Sequence, residues 1–404
     1  MKPADETPPK IIKEVFPMKN QTASLQKHMK MLCETIGARP TGSAKNKAAA
    51  DYAFGALQNC GFQTRKQEFD CIDWINYGAS LTIGGQGVTA VPAEYSLPCD
   101  LEAAFICADT AAALQKAELS GKIAVLHGDL CKEPLMPKNF EFYNPDGHKR
   151  IIALLEEKNP LAIITVSPDN GIPVHIIQDG DFNIPCAAVC GKALNSFLQS
   201  ADRKARLAIA AERRPAKACN VLATYGAGPG KVCFSAHIDT KPLTPGALDN
   251  ASGISVLLAF AESLSGKDLP CQIEIVLLNG EDYYSTPGEM AFMGGLTPEY
   301  SLAVSVDGVG LKGSATSVSF YECPKQIEER IMERTDRIGG IEKIEPWPMG
   351  DHMIFAMFGI PAIALTSANI FNILETVTHT PDDDMRHIDF DILDNAVRFL
   401  ESCI

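Results

Sequence analysis

KVCFSAHIDTKPLTPGALDNASGISVLLAFAESLSGKDLPCQIEIVLLNGED (Lys231–Asp282) decides the fold. Two short, nearly continuous apolar runs, VCFSAHI (Val232–Ile238) and QIEIVLL (Gln272–Leu278), stand on either side of GISVLLAFAESL (Gly253–Leu264). Runs of that length read as strands buried on both faces. The segment between them is apolar nearly all round, which predicts a helix shut inside the protein. Strand, helix, strand with both strands buried indicates parallel pairing. Further out, SLAVSV (Ser301–Val306) and IPAIALT (Ile360–Thr366) predict strands, while Pro324–Gly339 and Asp389–Cys403 predict amphipathic helices. Upstream, a helix is expected over Ser24–Leu32, a loop over Ile36–Asn46, a helix over Lys47–Leu57 ending near Gly61, and a strand over Gln63–Phe69. The expected class is α/β, with a mixed, mainly parallel sheet sandwiched by helices.

Between these parts the texture changes. Residues 78–214 read as short strands and turns (ASLTIGG, GVTAVPAEY, KIAVLHG, LAIITVS), with helices limited to Asp109–Glu118 and Lys149–Glu157 and a closing strand–helix pair, IPCAAVCGKALNSFLQ. A chain of 404 residues exceeds one small core, so two domains are expected. The division is a loose tail over 1–15, a discontinuous α/β domain over 16–77 and 215–404, and an inserted β-rich domain over 78–214.

The formal charge is −14, from 36 basic and 50 acidic residues, which argues against nucleic acid or an anionic membrane as partner. The start, MKPADETPPK, lacks the apolar stretch of a secretory signal, and no apolar run approaches the ~18 residues of a membrane span. Thirteen cysteines without a CxxC pair read as buried, reduced thiols. The expected location is therefore cytoplasmic, and a homodimer is the default assembly.

Ligands of open α/β sheets gather beyond the carboxyl ends of the strands. His237 lies near one such end, Glu281 and Asp282 just past another, and Asp307 directly after a third. Asp249 leads into the buried helix and His379 sits in a late loop, THTPDDD. Two imidazoles and three carboxylates suit two divalent ions when one carboxylate bridges, and zinc is the expected metal. Asp239, two residues past His237, is placed to orient its ring. Glu281, beside a ligand, is placed to move a proton, which points to a hydrolase. Among the remaining motifs, GAGPG (Gly226–Gly230) precedes a strand and reads as a turn, Asp382–Asp384 as a solvated acidic loop with one member available to brace His379, and Ser252 lacks the nucleophile-elbow pattern. Gly350–His352 reads equally as a pocket wall or a helix cap.

SAHIDT, GALDNASG, NGED, SVDG and THTPDDD, with GDHMIF and GIPAIAL before the last, resemble the di-zinc exopeptidases of the aminopeptidase Y and glutamate carboxypeptidase type, peptidase clan MH. The resemblance covers roughly residues 24–75 and 216–404, and the interval looks like the protease-associated domain some members insert. It implies the zinc-exopeptidase, phosphorylase/hydrolase-like fold. It also implies that His237 and Asp307 complete one zinc site, Asp282 and His379 the other, with Asp249 bridging, Glu281 as general base and Asp239 behind His237. The family often has Glu-Glu where Glu281-Asp282 stands, and several members have tyrosine where Thr378 stands, so His352 becomes a candidate substrate contact in its place. The implied activity is an exopeptidase on peptide or small amide substrates, most naturally an aminopeptidase. Same-fold alternatives are a carboxypeptidase, a deacylase or a glutaminyl cyclase, and an inactive binding protein is the alternative outside catalysis.

Overall fold

Two long strands, Gln63–Ile83 and Lys204–Tyr225, run antiparallel from Gln63 opposite Thr224 to Ile83 opposite Ala205, with one register shift between Asn76 and Gly78. The computed structural model that shows this describes residues 20–168, 171, 173–296, 300–374 and 376–404; the tail expected over 1–15 lies outside them. One end of the ribbon pairs with Gln272–Leu278 and joins a larger sheet, while the other pairs with Cys99–Ala108 and joins a smaller one. The strand expected to end at Phe69 thus continues for fourteen residues more, because backbone pairing persists where apolar alternation has faded. The domain boundaries expected near 77 and 214 fall inside this ribbon.

In the larger sheet the order is Ile341–Lys343, Thr316–Tyr321, Ala362–Ser367, Tyr300–Val306, Lys231–His237, Gln272–Leu278 and then the ribbon. The strands at 231, 272, 300 and 362 are mutually parallel, and Thr316–Tyr321 and the ribbon add antiparallel neighbours on either side. This is the mixed, mainly parallel sheet that the apolar runs predict. Helix Ser252–Leu264 is buried along nearly its whole surface, with Phe260 packed on Phe234 at 4.7 Å between ring centroids. Helices Thr22–Lys30, Ala44–Asn59 and Phe390–Ser402 complete that core. The opposite face is covered by Phe292, Ile354 and Phe355 from helices Pro287–Gly294 and His352–Met357.

Several boundaries differ from expectation for local reasons. The loop expected through Asn46 ends at Ser43, whose hydroxyl accepts the Asn46 N–H at 3.1 Å and caps the helix from Ala44. The helix expected over 324–339 is Lys325–Thr335. Strand Thr316–Tyr321 has no counterpart in the sequence reading: its buried run contains Thr316, Ser317 and Ser319, so no apolar stretch marks it.

The smaller sheet is also largely parallel. Strands Cys99–Ala108, Ile123–Leu126, Ala162–Val166 and Cys186–Val189 pair in that order, with Val91–Pro92 antiparallel at the edge. Helices Ala111–Lys116, Asp146–Lys158 and Leu194–Gln199 accompany it, at the three places where the sequence predicts helices. Tyr283, from the larger part, packs into this region against Tyr95 at 5.1 Å. No helix among the described residues is long and apolar enough to cross a membrane.

Candidate metal centre

Parallel strands deliver their carboxyl ends to one edge, and the candidate ligands meet there. His237 is the last residue of its strand, Asp307 follows Val306, and Gly280–Asp282 follow Leu278 and Asn279. Asp249 arrives from the loop before helix Ser252–Leu264, and His379 from the late loop, with its backbone at φ +61°. Asp249 faces both imidazoles: Oδ1 is 3.0 Å from His237 Nε2 and Oδ2 is 2.9 Å from His379 Nε2. Asp307 Oδ1 lies 3.6 Å from His237 Nε2, and Asp282 Oδ1 lies 3.5 Å from His379 Nε2. Two groups result, His237–Asp249–Asp307 and Asp249–Asp282–His379, each with its ligand atoms within 4.8 Å of one another.

These donors fit divalent ions better than they fit each other. Two ligands each ~2.0–2.2 Å from one tetrahedral ion stand roughly 3.3–3.6 Å apart, close to the separations seen. His237 is fully buried, yet among the described residues neither of its ring nitrogens makes a hydrogen bond, despite the 3.0 Å approach of Asp249. The buried Asp282 Oδ2 is likewise without a hydrogen-bond partner. Groups this close but misaligned for mutual hydrogen bonds are aimed at a common third point.

The scaffold that aims them is made of loop-to-loop hydrogen bonds. Asp239 accepts the Gly280 N–H at 2.7 Å and the Thr41 hydroxyl at 2.8 Å, and lies 3.6 Å from His237 Nδ1. Arg39, fully buried, donates to the carbonyls of Ile238 (2.6 Å), Pro245 (2.8 Å) and Gly246 (3.2 Å). It thereby ties the His237 strand end to the loop that presents Asp249. The Asp382–Asp384 stretch is not simply the solvated loop expected. Asp383 is fully buried, and its carboxylate accepts the N–H groups of Leu248 (2.8 Å) and Asp249 (3.1 Å). It braces the Asp249 loop. Asn279 is held by Asn46 and Asn220 (2.8–3.0 Å), which fixes the turn before Glu281. Gly288 permits that turn: a Cβ there would meet Asn279 O at 2.0 Å.

Negative charge is concentrated around the donors. Burial, with the Asp249 charge next, pushes Asp282 up to about 7. Burial opposes ionisation of Asp249, but the facing His237 and His379 rings hold its carboxyl well below the usual range. For His237 burial works against the charged ring, but Asp239, Asp249 and Asp307 hold its pKa well above the ordinary value. Glu281 is pushed well above the ordinary value by burial, against the pull of His237, with Asp282, Asp307 and Asp351 adding to the rise. Behind it, buried Glu289 and Asp351 are raised too: Glu289 to about 7 by burial, against a hydrogen bond with Asp351 and with Glu281 and Asp239 adding to the rise, and Asp351 by burial and then by Glu289. Asp351 lies in the Gly350–His352 stretch read as a pocket wall or helix cap, whereas Glu289, in the first turn of helix Pro287–Gly294, was not singled out in the sequence. An acidic cluster of this kind is electrostatically matched to cations.

His352 joins neither ligand group. It opens helix His352–Met357, buried between Tyr321 and Trp347 at centroid distances of 4.4 and 4.5 Å, with Nε2 3.1 Å from Trp347 O. Burial, partly offset by that carbonyl, lowers it to about 4, so its ring is neutral at pH 7. Thr378, before His379, is buried.

Residues 220–403 match the model of Peptidase family M28. A protein of Mycobacterium tuberculosis (strain ATCC 25618 / H37Rv), described as "Probable lipoprotein aminopeptidase LpqL", is 24% identical over 300 residues, covering 70% of this chain and 54% of the relative. The chain thus spans about half the length of that curated relative. Among solved structures, BSAP, a zinc aminopeptidase from Bacillus subtilis, superposes with a TM-score of 0.76 at 19% identity, covering 96% of this chain and 95% of that one. The aminopeptidase from Aneurinibacillus sp. strain AM-1 gives 0.73 at 20% identity, with 95% and 93% covered. At such identities the structural likeness establishes the fold, and the stretch that holds all five converging ligand candidates is the one that matches the Peptidase family M28 model.

Proposed function

We propose that this chain is an aminopeptidase working with two divalent ions, zinc in the first instance, and with Glu281 as general base. The observation that carries the reading is Asp249, whose two oxygens each approach a different imidazole, at 3.0 and 2.9 Å. That is the geometry a bridging carboxylate requires. His237 and Asp307 would hold one ion, Asp282 and His379 the other. When bound, such ions polarise the scissile carbonyl and lower the pKa of the attacking water.

The protein's own groups do the rest. Asp239, fixed by Gly280 and Thr41, keeps the His237 ring in place from behind. Glu281, as the carboxylate, takes a proton from the attacking water and returns it to the leaving amine nitrogen; burial raises its affinity for that proton. The aminopeptidase names of the M. tuberculosis and B. subtilis proteins support the choice of substrate end.

The test is a panel of chromogenic aminoacyl substrates, amino-blocked peptides and an amino-terminal glutamine peptide, with and without chelator. Chelator-sensitive cleavage of free-amine substrates alone is the expected result. Cyclisation of the glutamine peptide or cleavage of blocked peptides would replace the reading. Glu281→Gln is expected to lower kcat by about 10²–10⁴ with metal content unchanged. Substantial activity in that variant would remove Glu281 from the role.

A further inference from the structure

The smaller sheet presents one turn to the metal centre, Ala93–Ser96, and that turn is fastened from every side. Ala93 N–H donates to Cys186 O at 2.9 Å and Ser96 N–H to Ala93 O at 3.0 Å. Ser96 Oγ accepts the Cys186 N–H at 2.8 Å, and Ser96 O accepts the Trp74 indole N–H at 3.0 Å. Arg213 Nε donates to Tyr95 O at 2.5 Å, and Tyr95 holds a left-handed backbone at φ +61°. Two consecutive side chains project from this rigid mount, Glu94 and Tyr95.

Both reach the segment that carries Asp282. The Tyr95 ring lies 5.1 Å from that of Tyr283 and 4.9 Å from that of Tyr284. Glu94 is 8% exposed, with Oε1 3.4 Å from His175 Nδ1 and Oε2 3.9 Å from Lys241 Nζ. Oε2 is buried without a hydrogen-bond partner among the described residues, so its principal attraction is the ammonium. Lys241 Nζ donates to the main-chain oxygen of Asp282 at 2.9 Å and to Gln178 Oε1 at 3.3 Å. Glu94 thus sets a carboxylate beside an ammonium that is only 17% exposed. Although burial opposes it, Lys241 and then His175 keep the Glu94 carboxyl below its ordinary range. Glu94 and Tyr95 thus grip three consecutive residues, Asp282, Tyr283 and Tyr284, from another sheet.

We propose that Glu94 and Lys241 form a positioning latch through which the Ala93–Ser96 turn holds the Asp282 main chain, and so sets the ion affinity of the Asp249–Asp282–His379 group relative to the His237–Asp249–Asp307 group. The proposal rests on the two-ion reading above. It assigns the inserted region a task at the metal centre, carried by Glu94 and Lys241, neither of which is itself a ligand.

The test is stepwise zinc release from the full-length protein to a chromophoric chelator, for wild type, Glu94→Gln, Lys241→Met, Lys241→Arg and the Glu94→Gln/Lys241→Met double variant. Glu94→Gln and Lys241→Met are expected to weaken one of the two ions about tenfold and leave the other unchanged, the size usual when a ligand's supporting partner is lost. The double variant is expected to be no weaker than either single one, because one latch is broken once. Lys241→Arg retains the charge and is expected to restore wild-type release. In turnover, kcat of the two weakened variants should recover in excess zinc with KM unchanged. Equal weakening of both ions, or no weakening, overturns the latch. A wild-type protein that holds fewer than two ions overturns the two-ion reading itself, and the latch with it. Should Glu94→Gln fail to fold, Lys241→Met against Lys241→Arg carries the same decision from the other partner.

Discussion

Two sheets in this molecule are built alike and end differently. Both have parallel strands buried on both faces, and both place polar residues where strands run out. The smaller sheet has Asp109, His127, Ser167 and Cys190 directly after its parallel strands, and the larger has His237 and Asp307 at corresponding ends. Yet among the described residues the groups able to hold a metal lie only at the larger sheet. Each region also contains an arginine whose donors go to backbone carbonyls. Arg39 ties Ile238 to Pro245 and Gly246, so the chain returns over the strand ends and brings Asp249 back to His237. Arg213 ties Tyr95 to Gly180 and Phe182, which turns those loops toward the neighbouring sheet instead. A polar strand end offers a ligand; a pinned returning loop makes a site of it.

The sharpest way to break this comparison is to exchange the fate of one acid. Asp249→Ala is expected to abolish binding of both ions and to lower kcat/KM by at least about 10³, as loss of a bridging ligand demands. His127→Ala, at a strand end of the other sheet, is expected to leave metal content and turnover unchanged. Metal analysis and the chromogenic assay compare the two directly.

Next come the arginines. Arg39→Met would leave three carbonyls without their donor in a buried site, and is expected to cost about 3–5 kcal/mol in denaturant unfolding of the chelated protein. Arg213→Met, in a partly exposed setting, is expected to cost about 1–3 kcal/mol. Equal costs would mean that the two pins do not differ as the geometry indicates.

Glycines grade the same contrast. A Cβ at Gly253 would meet Val306 O at 2.4 Å and Asn250 Oδ1 at 2.3 Å, so Gly253→Ala is expected to destabilise by about 1–3 kcal/mol. Gly147, in helix Asp146–Lys158 of the other region, has open space around it, and Gly147→Ala is expected to stabilise by about 0.5 kcal/mol.

The same contrast extends to pH in the metal-free protein. Asp282, Glu289 and Asp383 are pushed up to about 7 by burial, from roughly 3.9–4.3 in an unfolded chain. Raised carboxyl values mean that the folded form holds protons the unfolded form has lost. Their stabilising contribution is full below about pH 4 and is lost as pH rises through 7. The chelated protein should therefore melt lower at pH 8 than at pH 5.5. Added zinc should raise the melting temperature more at pH 8, because a ligating Asp282 must be ionised. Identical melting of the chelated protein at both values would count against a buried acidic cluster.

Much of this was legible before the structure. Helix Ser252–Leu264 follows from a window with hardly a polar face, and the four parallel strands from runs too apolar to face water. The ligand candidates stood out because acids and imidazoles are conspicuous at the ends of such runs. Thr316–Tyr321 did not, since Thr316, Ser317 and Ser319 imitate a loop composition, although Ser317 bonds Thr366 O and Ser319 bonds the Tyr321 hydroxyl inside the sheet. Asp383 reads as one of three solvated acids until Leu248 and Asp249 are seen donating to it. Arg39, Glu94 and Lys241 have no periodicity to betray them, because each acts on backbone or charge supplied by a distant segment.

The sequence alone determined the layered α/β architecture and the donor types at the sheet edge, because burial periodicity and side-chain chemistry are properties of short windows. Only the tertiary structure decided that those donors converge on Asp249 and which groups hold them there. That depends on hydrogen bonds and charge pairs between segments up to some two hundred residues apart, whose partners no local window contains.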